Sequence, residues 1–167
     1  MKKTKIIVLT ALFLLPFKLI EVHAQEKATP QEVIQKVKEA SEFLSKAGEE
    51  GLKEFMDKNG RWVWKDTYIF IMYCKALTVT AHPIKPKLIG KNLMGLKDVT
   101  GKLFFAEFCK AEGNPKGLWV EYMWQKVDEK MPSRKISFLM QVPGTDYQAA
   151  AGIYDETISL EELNRLK

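Results

Sequence analysis

The chain has 167 residues, of which 46% are hydrophobic and 28% charged, the balance of a globular chain long enough for one domain. A mean hydropathy of -0.19 excludes a protein that crosses a membrane many times. The formal net charge of +5 is modest and is concentrated in part at the N-terminus.

The first 24 residues have the pattern of a secretory signal peptide. MKKTK is a basic start, IIVLTALFLLPF is an apolar run shorter than the roughly 20 residues of a membrane span, and VHA ends in the small residue of a cleavage site. The alternative is an uncleaved anchor, in which Leu19, Ile20 and Val22 extend the apolar run. We expect a signal peptide at residues 1–24, one domain at residues 25–167, and a periplasmic or secreted protein.

Removal of this segment changes the charge of the chain. The signal peptide holds four lysines and one glutamate, so the remaining chain has 22 basic and 20 acidic residues. A nucleic-acid-binding surface needs clustered basic charge, which this sequence lacks. No nucleic-acid partner is therefore expected.

A long amphipathic helix is predicted to open the domain. Thr29 is a good N-cap, Pro30 suits the first helical position, and Glu32 completes a capping box. Apolar residues recur at helical spacing up to Ala47, and a second apolar stretch follows after two glycines. The pattern allows one long helix or two helices broken near the glycines, ending at DKNG, residues 57–60.

From Trp62 onward the pattern becomes that of β-strands. Two strands are predicted at about 67–73 and 77–82, joined by a turn at 74–76. Their hydrophobicity is nearly continuous, which indicates that both faces of the sheet are covered. A connection rich in proline and glycine follows, and then a short helix with three phenylalanines within 102–113.

Three more strands and a short helix complete the chain. GLWVEYMWQK, RKISFLMQVPG and YQAAAGIYD are predicted to be consecutive antiparallel strands, and SLEELNRLK a helix. The order of elements predicts an α+β fold, with one antiparallel sheet of about five strands and helices packed against it.

The two cysteines, Cys74 and Cys109, allow two interpretations. In an oxidising compartment a disulfide could close a loop of about 36 residues and contribute roughly 3–4 kcal/mol. Two buried free thiols are the alternative, which the sequence slightly favours because neither spacing nor context selects a disulfide. A disulfide would require the two Cα atoms to lie within about 7 Å of each other.

No catalytic, metal-binding or phosphate-binding motif stands out. G-x-S-x-G, H-E-x-x-H and the P-loop pattern are all absent from the sequence. The only histidine after the signal peptide, His82, precedes Pro83, which ends strand pairing, and its ring could bond loop carbonyls or a ligand. The sequence therefore predicts neither an enzyme nor a protein that needs a metal or a cofactor.

Several motifs, taken in order, resemble a known family. TVTAHPIKPKLIGKNLMGL, GLWVEYMWQ, KISFLMQ and PGTDYQAAAGIYDE follow the long helix and span, with it, about residues 30–156. The set resembles the small single Cache domains, the sCache_2 type, of bacterial extracytoplasmic sensing. The resemblance implies a PAS-like fold with a ligand cavity on one side of the sheet. Because the chain stops at Lys167 after one short helix, a free-standing version is expected.

The resemblance also implies small-molecule binding, often of short-chain carboxylates, in signal transduction or chemotaxis-like sensing. Lys135 could supply the cation that a carboxylate needs, or it could be a solvated lysine at the start of a strand. Tyr122 and Trp124 share one strand face, and together with Tyr68 they form either core or an aromatic wall for a ligand. By resemblance, His82 lies at the rim of the cavity.

A second hypothesis assigns the chain to protein interaction. In that case the cavity would be degenerate, and the long helix would contact a membrane sensor or another envelope protein, or a second copy of the chain in a homodimer. A cavity filled by side chains would favour this hypothesis, and a cavity large enough for a small ligand would count against it.

Overall fold

The computed structural model describes residues 26–127 and 129–167. The predicted signal peptide, residues 1–24, lies outside the described residues. Within them, no helix is both long enough and apolar enough to cross a membrane.

The described chain begins with helices and continues mainly with strands. The helices are α1 (Pro30–Ala47), α2 (Phe104–Phe108) and α3 (Leu160–Asn164), with short 3₁₀ helices at Gly48–Met56, Cys74–Ala76, Pro86–Leu88 and Cys109–Ala111. The strands are β1 (Val63–Trp64), β2 (Thr67–Tyr68), β3 (Phe70–Tyr73), β4 (Thr78–Ala81), β5 (Leu118–Gln125), β6 (Pro132–Gln141) and β7 (Tyr147–Tyr154).

The main sheet is antiparallel and has the order β4-β3-β7-β6-β5. This confirms the predicted α+β fold with a sheet of five strands and a long N-terminal helix. The predicted strand 67–73 is interrupted at Ile69, whose N–H donates to the Trp62 carbonyl oxygen at 2.8 Å. The residues before the interruption form the small β1–β2 hairpin, which the sequence analysis missed.

The start and end of α1 follow from its terminal residues. Thr29 and Glu32 form the predicted capping box, with both reciprocal hydrogen bonds present. The helix ends at Gly48, whose φ of +60° is a conformation that side chains other than glycine rarely adopt. The chain therefore forms two helices, and the second, Gly48–Met56, is a 3₁₀ helix.

The sheet separates two apolar layers. On one side, which we call the helix face, Val37 and Leu44 of α1 pack in the same core cluster as Ile136 and Phe138 of β6. The other side, the lid face, is covered by residues 83–111, the lid segment, which contains α2. In β3, β5, β6 and β7, neighbouring side chains alternate between the two layers, as the pleat requires.

Candidate functional site

A small cavity lies between the lid face of the sheet and the lid segment. Its floor is aromatic and its roof is apolar. The floor includes Tyr68, Phe70, Tyr122 and Trp124, and the roof includes Leu93, Phe104 and Phe108. The open space inside is about 20 Å³, which is room for about one water molecule. In this conformation, aromatic side chains therefore nearly fill the cavity.

Lys135 places an amino group beside this cavity, in the protein interior. Its side chain is fully buried, and among the described residues Nζ has no hydrogen-bond partner. Nζ lies 4.1 Å from the ring centroid of Tyr68, which lines the cavity, and 5.1 Å from that of Tyr154. Ring faces attract a cation but replace only part of the hydration lost on burial. The interpretation of Lys135 as a solvated strand-end lysine is therefore wrong.

Strand alternation and one glycine create the space for this side chain. Lys135, Ser137 and Leu139 lie at alternate positions of β6, and Leu139 belongs to the lid-face cluster. On the neighbouring strand, a Cβ atom at Gly152 would lie 2.5 Å from Ser137 Oγ and 3.0 Å from Lys135 Cε. A side chain at position 152 would thus displace the lysine or the serine.

Burial dominates the electrostatics of Lys135. It lowers the pKa of the amino group from 10.5 to about 7, because the charged form is poorly solvated there. The Asp66 carboxylate raises this pKa and the Lys85 ammonium lowers it, both by less than burial does. Near pH 7, the neutral amine and the ammonium form of Lys135 therefore coexist.

His82 is held as a neutral ring in the same region. It is 4% exposed, and its Nδ1 accepts hydrogen bonds from the backbone N–H groups of Ile84 at 3.2 Å and Lys85 at 3.0 Å. An accepting Nδ1 leaves the proton of the neutral ring on Nε2. Burial, assisted by the charges of Lys135 and Lys85, lowers the pKa of His82 to about 3. The ring thus bonds loop N–H groups rather than the loop carbonyls that the sequence suggested.

Tyrosine hydroxyls add neutral hydrogen-bonding groups to the lid face. The Tyr122 hydroxyl lies 3.1 Å from Ser137 Oγ, and the Tyr154 hydroxyl donates to the Gln125 carbonyl oxygen at 2.8 Å. Burial raises the pKa of Tyr68 to about 12, and burial also raises the pKa of Tyr122. Both phenols therefore stay protonated at neutral pH and can act as donors.

The lid segment is attached to the sheet by polar contacts along β5. Asp98 accepts hydrogen bonds through Oδ1 from the Lys102 N–H at 3.0 Å and through Oδ2 from the Met123 N–H at 2.9 Å. Lys102 Nζ donates to the Glu121 carbonyl oxygen at 2.6 Å. These contacts hold the roof of the cavity against an edge strand.

A disulfide fixes the far end of the lid segment. Cys74, after β3, is bonded to Cys109, directly after α2, and their Cα atoms are 5.5 Å apart. The two free thiols that the sequence slightly favoured are therefore not what the structure has. The fold brings the β3–β4 turn against the end of α2, and this contact between distant segments cannot be read from the local sequence.

The five residues predicted to bind a ligand lie together. Tyr68, His82, Tyr122 and Trp124 line the cavity, and Lys135 lies against the ring of Tyr68. Whether they contact a ligand stays a prediction.

Several neighbours of this group were missed by the sequence analysis. They are Phe70, Ser137, Gly152, Tyr154 and the phenylalanines of α2. Alternation along β6 could have found Ser137, which lies two residues from Lys135 on the same strand face. The others depend on strand order and on the path of the lid segment.

Between residues 26 and 167, leaving out position 128, no group of three or more His, Cys, Asp or Glu side chains is placed to hold a metal ion. The Nδ1 atom of the His82 ring accepts hydrogen bonds from backbone N–H groups.

This chain is similar to a known family and to several solved structures. Residues 39–159 match the family dCache_2, described as "Cache domain". Among solved structures, a Cache chemosensory domain studied for carboxylic acid recognition is similar, with a TM-score of 0.62 and 24% identity, over 75% of this chain and 92% of that one.

Two further structures share the fold. The periplasmic sensor domain of a chemotaxis protein has a TM-score of 0.56 at 24% identity, over 76% of this chain and 90% of that one. A methyl-accepting chemotaxis protein from Vibrio parahaemolyticus RIMD 2210633 has a TM-score of 0.55 at 24% identity, over 72% of this chain and 80% of that one. At this identity the likeness concerns the fold.

Proposed function

This chain belongs to the Cache domain family, and we propose that it is an extracytoplasmic sensor-type domain. The motifs within residues 30–156 favour the single, sCache_2 type. Its ligand is a short-chain carboxylate, and its role is binding in signal transduction rather than catalysis. The similar structures named as chemosensory and periplasmic sensor domains, one of them for carboxylic acid recognition, support this assignment.

The single observation that carries the ligand class is the unpartnered amino group of Lys135. A buried polar group without a partner is costly, and a carboxylate would supply the missing charge-assisted hydrogen bond. The aromatic residues around the cavity would cover the short alkyl part of the ligand, while Tyr68 and His82 add neutral donors beside it.

The location outside the cytoplasm is supported by two independent features. Residues 1–24 have the pattern of a secretory signal peptide. The Cys74–Cys109 disulfide is a bond that persists in oxidising compartments such as the periplasm.

Ligand-induced thermal shift tests the proposal. We expect acetate, propionate, pyruvate or lactate to raise the Tm of the protein. Lys135→Met should weaken binding by about 10–100-fold, the value of a charged hydrogen bond, whereas Lys116→Met, on the exposed surface, should bind like the wild type. The carboxylate assignment fails if all four acids leave the Tm unmoved while amines or amino acids raise it.

The pH dependence of binding gives a second test. A carboxylate binds the ammonium form of Lys135, and burial lowers the pKa of that group to about 7. Affinity for acetate should therefore decline as the pH rises from 7 to 9, by up to about tenfold per pH unit. Calorimetric titration at three pH values would measure this, and an affinity that stays constant would contradict the role of Lys135.

A second candidate function is protein interaction, and the nearly filled cavity supports it. An open space of about 20 Å³ admits a carboxylate only if the lid segment or the aromatic side chains move. In this alternative, α1 contacts a membrane sensor, an envelope protein or a second copy of the chain. Oxidative cross-linking of Gln35→Cys, on the exposed side of α1, with Lys116→Cys as control, would detect a homodimer.

A further inference from the structure

The surroundings of Lys135 suit amine chemistry as well as ion pairing. Nζ is fully buried, has no hydrogen-bond partner among the described residues, and lies against the rings of Tyr68 and Tyr154. The Asp66 carboxylate raises the pKa of this amino group but forms no hydrogen bond with Nζ in the described chain. A lysine that is desolvated in this way is the kind that forms Schiff bases with carbonyl compounds.

We propose that Lys135 captures small 2-oxo acids covalently, by reversible imine formation between Nζ and the keto carbon. This inference rests on the proposed function, because it uses the same cavity and narrows the carboxylate class to acids that also carry a carbonyl group. Pyruvate and glyoxylate are the smallest members of that class and therefore require the least movement of the lid segment and the aromatic side chains.

The reaction balances without an oxidant, a reductant or a co-reactant. The nitrogen lone pair attacks the keto carbon, and the carbonyl π electrons move to oxygen, which takes up the proton that the ammonium group has released. The nitrogen then passes one of its two protons to this hydroxyl group, which leaves as water while the freed nitrogen lone pair forms the C=N bond. One ammonium and one ketone thus give one iminium and one water, and the positive charge is conserved beside the carboxylate of the ligand.

The surroundings of Lys135 favour both the reactive amine and the iminium product. The ring faces of Tyr68 and Tyr154, which already contact the ammonium group, can contact an iminium in the same way. The absence of a side chain at Gly152 leaves the end of Lys135 free of a collision that a Cβ atom would cause at 3.0 Å. The pKa of about 7, set by burial, provides neutral amine at neutral pH.

Selective reductive trapping tests the proposal. The full chain is incubated with pyruvate and cyanoborohydride at pH 7.5, and the modified lysine is located by peptide mass spectrometry. We expect Lys135 to be labelled at least about tenfold faster than lysines on the exposed surface such as Lys116. Lactate, which lacks the keto group, should give no label.

The thermal shift with acetate separates this inference from the proposed function. If acetate raises the Tm but pyruvate leaves Lys135 unlabelled, the imine is overturned and carboxylate binding stands. If neither acetate nor pyruvate shifts the Tm and no label appears at Lys135, both proposals fail. Lys135→Arg, which keeps the cation but cannot form the imine, should retain the acetate shift and lose the label, and its circular dichroism verifies folding.

Discussion

The two faces of the sheet are built from the same strands but differ in what they bury. On the helix face, Ile136 and Phe138 of β6 pack with α1 in an apolar layer. On the lid face, the alternate residues Lys135 and Ser137 of the same strand are polar and also buried. Within a few residues, one strand thus contributes to a stabilising core on one side and, on the other, to a site whose amino group has no hydrogen-bond partner in the described part of the chain.

The segments that cover the two faces differ in length and regularity. The helix face is covered by α1, a regular helix of 18 residues with a capping box. The lid face is covered by the lid segment, whose longest helix, α2, has five residues and which is attached by Asp98 and a disulfide. We infer that the helix face contributes most of the stability of the fold. The covering of the lid face is less stable, which would allow the site to open.

The largest expected loss of stability comes from the helix face. Phe138→Ala should lower the free energy of unfolding by about 3–5 kcal/mol, because it leaves a cavity in a fully buried layer. Urea denaturation would measure this change. A loss below about 1 kcal/mol would show that the helix face is not the stabilising side of the sheet.

Removal of the disulfide should have a large effect that begins in the lid. The double variant C74S/C109S should lose roughly 3–4 kcal/mol by the chain-entropy model. Hydrogen exchange should accelerate first in the lid segment, because Cys109 follows α2 directly. Reduction of the wild type with dithiothreitol is the matched control. Equal acceleration in α1 and the lid segment would contradict the proposed division between the two faces.

Replacement of the buried cation should stabilise the protein. Lys135→Met removes an unpartnered charge and should raise the free energy of unfolding at pH 7 by about 1–3 kcal/mol. The advantage of the variant should shrink from pH 7 to 10.5, because over that interval the unfolded wild type binds a proton that the folded wild type has released. Below pH 7 both states hold the proton, so the difference should be constant.

The comparison between the wild type and this variant isolates Lys135 from the groups that face it. Those groups are His82, Lys85, Asp66 and the tyrosines around Nζ, and both proteins contain them. Denaturation curves of both proteins between pH 6 and 10 would measure the difference. A variant that is less stable than the wild type at pH 7 would show that Lys135 has a stabilising partner.

The smallest expected effect concerns the attachment of the lid. Asp98→Ala removes the acceptor of several hydrogen bonds and should cost about 1–2 kcal/mol. If the lid must open for a ligand, the association rate for acetate should rise in this variant. Stopped-flow measurements would test this, with Asp57→Ala, in the turn after the 3₁₀ helix, as a control for a lost surface acceptor. An unchanged association rate would mean that the lid does not limit access.

Sequence patterns predicted most of the fold because they are local. The capping box at Thr29 and the alternation along β6 depend on residues close in the chain, and both are present in the structure. The disulfide and the order β4-β3-β7-β6-β5 depend on contacts between distant segments, so the cysteine pairing could not be inferred.

The candidate site was predictable only in part. Tyr122 and Trp124 follow from strand alternation, but the burial of Lys135 depends on three elements that meet around it. Its position near Tyr154 and Gly152 requires the pairing of β6 with β7, which a single sequence does not specify. The sequence shows that residue 135 is a lysine, but it does not show that the amino group lacks a hydrogen-bond partner among the described residues.

The lid segment also protects the two edges of the sheet. At β4 the backbone N–H of Gly90 donates to the Val79 carbonyl oxygen, and just before β4 the N–H of Leu93 donates to the Leu77 carbonyl oxygen. At β5, Asp98 accepts a hydrogen bond from the Met123 N–H. Lifting the lid to admit a ligand would uncover these strand edges, and unpaired edges are templates for aggregation. Each opening of the lid would therefore also expose the sheet to pairing with another chain.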